Sequence, residues 1–194
     1  MSIYTRTGDD GGTGIVGGRT SKSSVQVEAY GTIEEANSFI GVAAALLTEK
    51  EADIKTALVK IQHELFDCGS DLSFKDDIKK TIAYKVKEDT VKALEEHIDF
   101  YNEGAPALER FILPGGTPAA AYLHTARTVI RRAERRVVQL ANEAYINPCV
   151  RQYLNRLSDY LFVICRVVNA RAGQKDIEYE RGEKVFRNVG RGEE

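Results

Sequence analysis

Tryptophan is absent from this chain of 194 residues, methionine occurs once, cysteine three times and proline four times. The three cysteines, Cys68, Cys149 and Cys165, are widely spaced and form no Cys-x-x-Cys pair. No disulfide framework, zinc ribbon or dithiol redox motif is therefore encoded, and the thiols read as reduced and buried. No run approaches the roughly 20 apolar residues that span a bilayer. Met1-Ser2-Ile3-Tyr4-Thr5-Arg6 has no apolar signal core, so the expected location is cytoplasmic, without a membrane partner. Charge of one sign is also missing: 27 Lys and Arg against 29 Asp and Glu give a net charge of −2. A protein that binds nucleic acid by displacing counterions needs a surplus of cations, so that class is excluded.

What is present is enough apolar material for a core, 43% of residues. A domain of roughly 150 residues already removes about 68–70% of its unfolded surface from water, so one domain over 1–194 needs no staple. Six of the 16 glycines fall between Gly8 and Gly18, a density that forbids stable helix and predicts a loop over about 1–25. Helical periodicity then takes over. Thr32 with Glu35 reads as a capping box that starts a first helix through Phe39, Ile40, Val42, Ala43, Leu46 and Leu47. Ile54, Leu58, Ile61, Leu65, Cys68 and Leu72 mark one face of a second, from about Asp53 to Phe74, and Val91, Leu94, Ile98 and Tyr101 mark a third. A long fourth helix runs from Thr117 to about Tyr145, and a fifth from Pro148 to about Gly173, with Val150, Leu154, Leu157, Leu161, Ile164 and Val168 inward. Five helices, short connections and no alternating strand pattern predict an all-α, five-helix antiparallel bundle. Residues 188–194 read as a disordered polar tail.

Two features carry chemistry. On the fourth helix, Leu123, Ala126, Ile130, Ala133, Val137 and Leu140 form the apolar stripe, and Arg127, Arg131 and Glu134 form a row along its flank. Arg132, Arg135 and Arg136 point elsewhere, toward solvent or another subunit. A charged row at the margin of a core is partly buried and needs anions; the plain alternative is a salt-bridged helix flank with Arg131 and Glu134 at i,i+3. The glycine-rich segment supplies the second feature: unobstructed backbone amides, hydroxyls on Thr5, Thr7 and Thr13, and cations at Arg6, Arg19 and Lys22. Such amides can cradle a polyphosphate, although a floppy terminus has the same composition. No Gly-Lys-Ser or Gly-Lys-Thr follows and no βαβ unit surrounds it, so it is neither a Walker loop nor a dinucleotide fingerprint. His63 with Asp67 lacks the paired Glu-x-x-His motifs of di-iron bundles, so no metal site is expected. His124 reads as a capping or interface residue rather than a base.

Taken together these segments resemble the PduO-type ATP:corrinoid adenosyltransferases over nearly the whole chain. The likeness rests on Tyr4-Thr5-Arg6-Thr7-Gly8-Asp9-Asp10-Gly11-Gly12-Thr13-Gly14, on Phe111-Ile112-Leu113-Pro114-Gly115-Gly116, on Ala126-Arg127 with Arg131-Arg132-Ala133-Glu134-Arg135, and on Asn155-Arg156-Leu157-Ser158-Asp159-Tyr160. The resemblance implies a ferritin-like five-helix bundle assembled as a homotrimer with active sites between subunits. It implies transfer of the 5′-deoxyadenosyl group of ATP to the cobalt of cob(I)alamin, with triphosphate leaving and magnesium accompanying the nucleotide. Thr5, Thr7, Gly8, Asp9, Gly11, Thr13 and Lys22 would then hold the triphosphate and its magnesium. Arg131 would pair with phosphate, Glu134 and Asn155 would contact the nucleotide, and Arg127 would pair across the subunit boundary with an acid opening the first helix, here Glu34. Phe111 would occupy the lower axial face of the corrin, with Phe186 closing the pocket. Glu34 stands where the family usually has Asp, and Asp10 where a Lys is common. A reductase and an adenosylcobalamin-dependent enzyme are the protein partners such chemistry implies. An ATP-dependent corrinoid carrier that delivers adenosylcobalamin is compatible with the same residues, as is a helical interaction module that has lost catalysis.

Overall fold

The computed structural model describes residues 3–75 and 81–184. Helix α1 (Val25–Leu46) begins at Ser24, whose extended backbone and side-chain oxygen, accepting from the Val27 amide, make a serine cap. The expected start at Thr32 is corrected: Thr32 is buried within α1 and its hydroxyl donates to the Glu28 carbonyl at 2.7 Å. A threonine that bonds the carbonyl four residues back sits inside a helix without starting one, and packing on both sides outweighs the roughly 1 kcal/mol cost of Gly31. A 3-10 turn (Glu49–Glu51) leads into α2 (Ala52–Leu72), followed by α3 (Glu88–Glu103), α4 (Pro118–Ala141) and α5 (Pro148–Arg171). Both α4 and α5 carry proline in the first turn behind a polar cap, Thr117 and Asn147. Helix α4 stops short of Tyr145 because the amides of Asn142, Glu143 and Ala144 fold back onto the Gln139 and Leu140 carbonyls.

The glycine-rich segment is non-helical, yet it is more than a loop. Strands β1 (Gly12–Ile15) and β2 (Gly18–Ser21) pair antiparallel from Gly12↔Ser21 to Ile15↔Gly18, and the connection is Val16-Gly17 with Gly17 at φ 91. Most of the hairpin is exposed, so its sequence carries no buried face for an alternating pattern to reveal. It docks on the end of α2: the Val16 amide donates to Ser73 O and the Lys75 amide to Val16 O, both at 3.0 Å. Gln26 fixes the same corner by donating to the carbonyls of Leu72 and Phe74.

Helix α1 packs on α2 and α4, α4 on α5, and α5 on α3. Cross-links fix the directions. Asn37 and Gln62 exchange side-chain to backbone bonds between α1 and α2, and Arg132–Glu35 and Arg136–Glu28 join α4 to α1. Both pairs lie on the solvent side of the bundle, where Arg132 and Arg136 were expected to point, with side chains 42% exposed. Successive helices alternate in direction, which leaves α3 and α5 running the same way, joined by Arg156–Glu95 and an edge-on Tyr101–Tyr160 contact. The predicted stripes of α2 and α4 are buried in one cluster with Ile33, Ile40, Leu154 and Ile164. The chain entering α3 is anchored by Asp71, which accepts from the Lys85 and Val86 amides and from Asn147 Nδ2. Cys68 and Cys165 are buried free thiols, whereas Cys149 is only half-buried, because it lies in the first turn of α5. No helix among the described residues is long and apolar enough to cross a membrane.

Candidate functional site

The hairpin end of the bundle holds the predicted phosphate loop. Gly8 to Gly11 forms a turn closed by the Gly11 amide on Gly8 O at 3.2 Å, and Gly11 sits at φ 86, a backbone that favours glycine. Lys22 straddles this turn, its amide on Gly11 O and its ammonium on Gly8 O, both at 2.8 Å. Thr5 and Thr7 share a hydroxyl contact of 2.9 Å at the exposed rim, Asp9 is exposed beside them, and Thr13 pairs with Thr20 in the hairpin. Asp10 accepts from the Gly12 amide at 2.9 Å and faces Arg19 at 3.9 Å. The Gly12 amide, helped by Arg19, holds its carboxyl below the usual range. Its work here is to shape the turn.

On α4, Arg127 and Glu134 are half-buried, as a position at the core margin requires. Arg127 has its Nε sealed from solvent with no hydrogen-bond acceptor among the described residues, and its guanidinium lies over the Phe162 ring, 5.8 Å from the centroid. Burial lowers its pKa, but a guanidinium stays charged. Arg131 is exposed one turn on. Glu134 turns away from Arg131 and accepts from Asn155 Nδ2 at 3.0 Å, so the helix-flank ion pair between Arg131 and Glu134 is not formed. Asn155 in turn accepts from Arg156. Among the described residues no carboxylate pairs closely with either cation, although Asp159 acts on Arg127 at longer range, so two arginines at i,i+4 give this strip positive potential. Glu34 is exposed in the middle of α1 rather than at its opening, since the helix begins at Val25.

No nucleophile accompanies the row. His124 is not a cap: it is 3% exposed, with Nδ1 3.6 Å from Cys165 Sγ and Nε2 without a partner. Burial, then the charge of Arg127, pushes its imidazole down to about 4, so it is neutral at pH 7. Burial pushes the Cys165 thiol up to about 12, which removes it as a thiolate. Among the described residues no group of three or more His, Cys, Asp or Glu side chains is placed to hold a metal.

At the opposite end of the bundle, Phe111 is 55% exposed on a short ribbon, where Phe111 O accepts from the Tyr179 amide and the Leu113 amide donates to Ile177 O. The hairpin adjoins the start of α1, whereas this ribbon adjoins the start of α4, which runs the other way. The two ends are separated by the length of α4, 24 residues or about 36 Å. Phe186 lies outside the described residues.

The family model for cobalamin adenosyltransferase matches residues 3–168. The chain belongs to the cobalamin adenosyltransferase family. It is 55% identical over 190 residues, 97% of either chain, to the corrinoid adenosyltransferase of Bacillus subtilis (strain 168). It is 45% identical to the cobalamin adenosyltransferase of Cupriavidus metallidurans, covering 92% of this chain and 94% of that one. Among solved structures, a variant of the PduO-type ATP:corrinoid adenosyltransferase from Lactobacillus reuteri, complexed with cobalamin and ATP, matches with a TM-score of 0.90. That match has 42% identity over 95% of this chain and 100% of the other, and it groups this family member with the PduO type.

Within this cobalamin adenosyltransferase fold, two features escaped sequence reasoning. Phe162 serves as a platform between two arginines, Arg127 at 5.8 Å and Arg166 at 5.9 Å. The other is a buried polar cluster of Arg166, Asn169 and Asp176 beneath the Phe111 ribbon. A signal for it exists in the sequence: Arg166 and Asn169 interrupt the apolar run from Val163 to Val168 and its continuation, where a solvated face is not available.

Proposed function

We propose that the chain transfers the 5′-deoxyadenosyl group of ATP to the cobalt of cob(I)alamin, forming adenosylcobalamin and triphosphate, in sites that two copies of the chain build together. The cobalt(I) electron pair attacks the 5′-carbon, a Co–C bond forms, the C5′–O bond breaks, and its electron pair leaves with the triphosphate. Cobalt(I) is itself the nucleophile, which fits a site whose thiol is protonated and whose histidine is neutral and buried. The protein's work is to orient the 5′-carbon and to stabilise the departing polyanion. The observation that carries the reading is the half-buried Arg127, whose Nε has no acceptor among the described residues, beside Arg131 and the Glu134–Asn155 pair, in a chain of this family.

The Gly8–Gly11 amides, with Thr5, Thr7, Asp9 and Thr13, suit a triphosphate, and the Lys22 ammonium, exposed on Gly8 O, can exchange that carbonyl for a phosphate oxygen. Magnesium keeps several waters and takes its ligands largely from phosphate, so the hydroxyls of Thr5 and Thr7 and the Asp9 carboxylate fit an ion carried by the nucleotide. It would neutralise charge on the leaving group. Arg131 faces phosphate, and Glu134 and Asn155 contact the nucleotide. Phe111 fills the lower axial face of the corrin, displacing the base whose ligation makes cob(II)alamin hard to reduce. By the family resemblance, the loop of one copy completes the arginine row of another, with Glu34 as the acid opposite Arg127. The family resemblance makes the assembly a trimer.

The test is an anaerobic optical assay with magnesium-ATP and chemically reduced cob(I)alamin. Loss of the cob(I) band with one triphosphate per adenosylcobalamin is the expected result. Binding of both ligands without reaction would replace this reading with the carrier. Sedimentation is expected to give a trimer; a monomer at micromolar concentration would remove the shared site.

A further inference from the structure

The ribbon that carries Phe111 is made of two backbone hydrogen bonds and an isolated bridge between Ile112 and Glu178. So short a ribbon does not fix an exposed aromatic by itself, since an isolated pair of strands is marginal in water. Side chains beneath it supply the rigidity. Arg166, 4% exposed, donates from Nε to Asp176 Oδ2 at 2.9 Å and from a terminal nitrogen to Pro106 O at 2.6 Å. Asn169, 2% exposed, donates to Asp176 Oδ1 and to Gly115 O, both at 3.2 Å, and accepts from the Thr117 amide at 2.9 Å. Its own carbonyl accepts from the Gln174 amide.

Two residues of α5 thus grip the chain before Phe111, the chain after it, and the strand paired with it. Gly116 is part of the same grip: it sits at φ 103, and a Cβ there would lie 2.2 Å from Asn169 Oδ1. A buried ion pair is a weak source of stability, because desolvation offsets most of its attraction, and its attested value is in fixing one arrangement. Here the arrangement fixed is the backbone of an exposed phenylalanine.

We propose that Arg166, Asn169 and Asp176 are positioning residues for Phe111, holding its backbone where the ring meets the axial face of the corrinoid. This rests on the role given to Phe111 above. The three act through Phe111 and touch no substrate, so their loss falls on the step that needs the axial base removed.

Asp176→Asn keeps the shape and unpairs Arg166. Turnover with cob(II)alamin plus a reductant is expected to fall roughly tenfold, while turnover with pre-reduced cob(I)alamin stays within about a factor of 2 of the parent protein. The fraction of bound cob(II)alamin lacking an axial base, read by electron paramagnetic resonance, falls in parallel. In a Phe111→Ala background the same substitution adds no further loss, because groups acting through one another are not additive. Equal losses in the two assays, or losses that multiply with Phe111→Ala, overturn the proposal. If Asp176→Asn does not fold, the double variant Arg166→Met with Asp176→Leu carries the same test, since apolar replacement of a buried pair is tolerated. A parent protein that forms no adenosylcobalamin overturns the functional reading and this inference with it. An active parent with an unaltered Asp176→Asn ratio overturns this inference alone.

Discussion

Each end of the bundle carries a glycine-bearing segment, and the two are held in opposite ways. The loop at the hairpin end is secured by its own backbone, by an exposed lysine on a carbonyl, and by an Asp10 side chain bonded to the amide two residues on. Every one of those bonds is open to water and to exchange with an incoming anion. The segment at the other end, Phe111 to Gly116, is secured by side chains that are almost wholly buried, Arg166 and Asn169. On the roles proposed above, the loop can therefore trade its own contacts for phosphate oxygens, whereas the backbone of Phe111 is held by the protein's own side chains. A leaving group that must depart suits the first kind of grip, and an axial face that must be kept shut suits the second.

Removing the cation between the two ends gives the largest effect expected. Arg131→Ala should lower kcat/KM for ATP by on the order of 10²–10³, the loss typical of one preorganised donor aimed at developing charge. A loss confined to KM would place Arg131 in ground-state binding only.

The buried His124 predicts a pH dependence of stability between pH 7 and 4. His124 has a folded pKa of about 4 against an ordinary 6.5, so its contribution is whole above pH 6.5 and is lost as pH falls toward 4. The loss amounts to at most about 3 kcal/mol. Melting temperatures between pH 7 and 4 should show it, and His124→Gln should flatten the slope. An unchanged slope would assign the dependence to another group.

A sharper contrast comes from one substitution at each end. Phe111→Ala should slow turnover of cob(II)alamin plus reductant roughly tenfold more than turnover of pre-reduced cob(I)alamin, a difference of about 1.4 kcal/mol. Lys22→Ala should raise KM for ATP severalfold, about 1 kcal/mol for a solvated charge contact, and alter both assays alike. If Lys22→Ala separated the assays and Phe111→Ala did not, the roles given to the two ends would be exchanged.

Most of the bundle was legible because burial writes itself into helical spacing. The stripes of α2 and α4 are apolar at every third or fourth residue and are buried as that period requires. What was missed is what spacing does not encode. The hairpin shows water to both faces, so its strands leave no alternation, and Thr32 resembles a cap because a threonine hydroxyl bonds a carbonyl in either setting. The start of α1 was signalled instead by Ser24. For the site, the residues brought together within one chain are Glu134 with Asn155 and, one turn away, Arg127 with Arg131; the motifs placed them on facing helices. The buried cluster under Phe111 joins residues from three separate stretches of chain, and only the fold makes them neighbours.

Phe111 projects from a backbone whose position is set by residues on its other side. Its side chain, more than half exposed, lies outside the buried cluster that holds the bundle together. Position 111 is a place where substitution is expected to tell on turnover and not on folding. Selection, or a designer, can vary ring size and polarity there to suit corrinoids with different lower ligands, one residue at a time, while the scaffold that presents the residue is inherited unchanged.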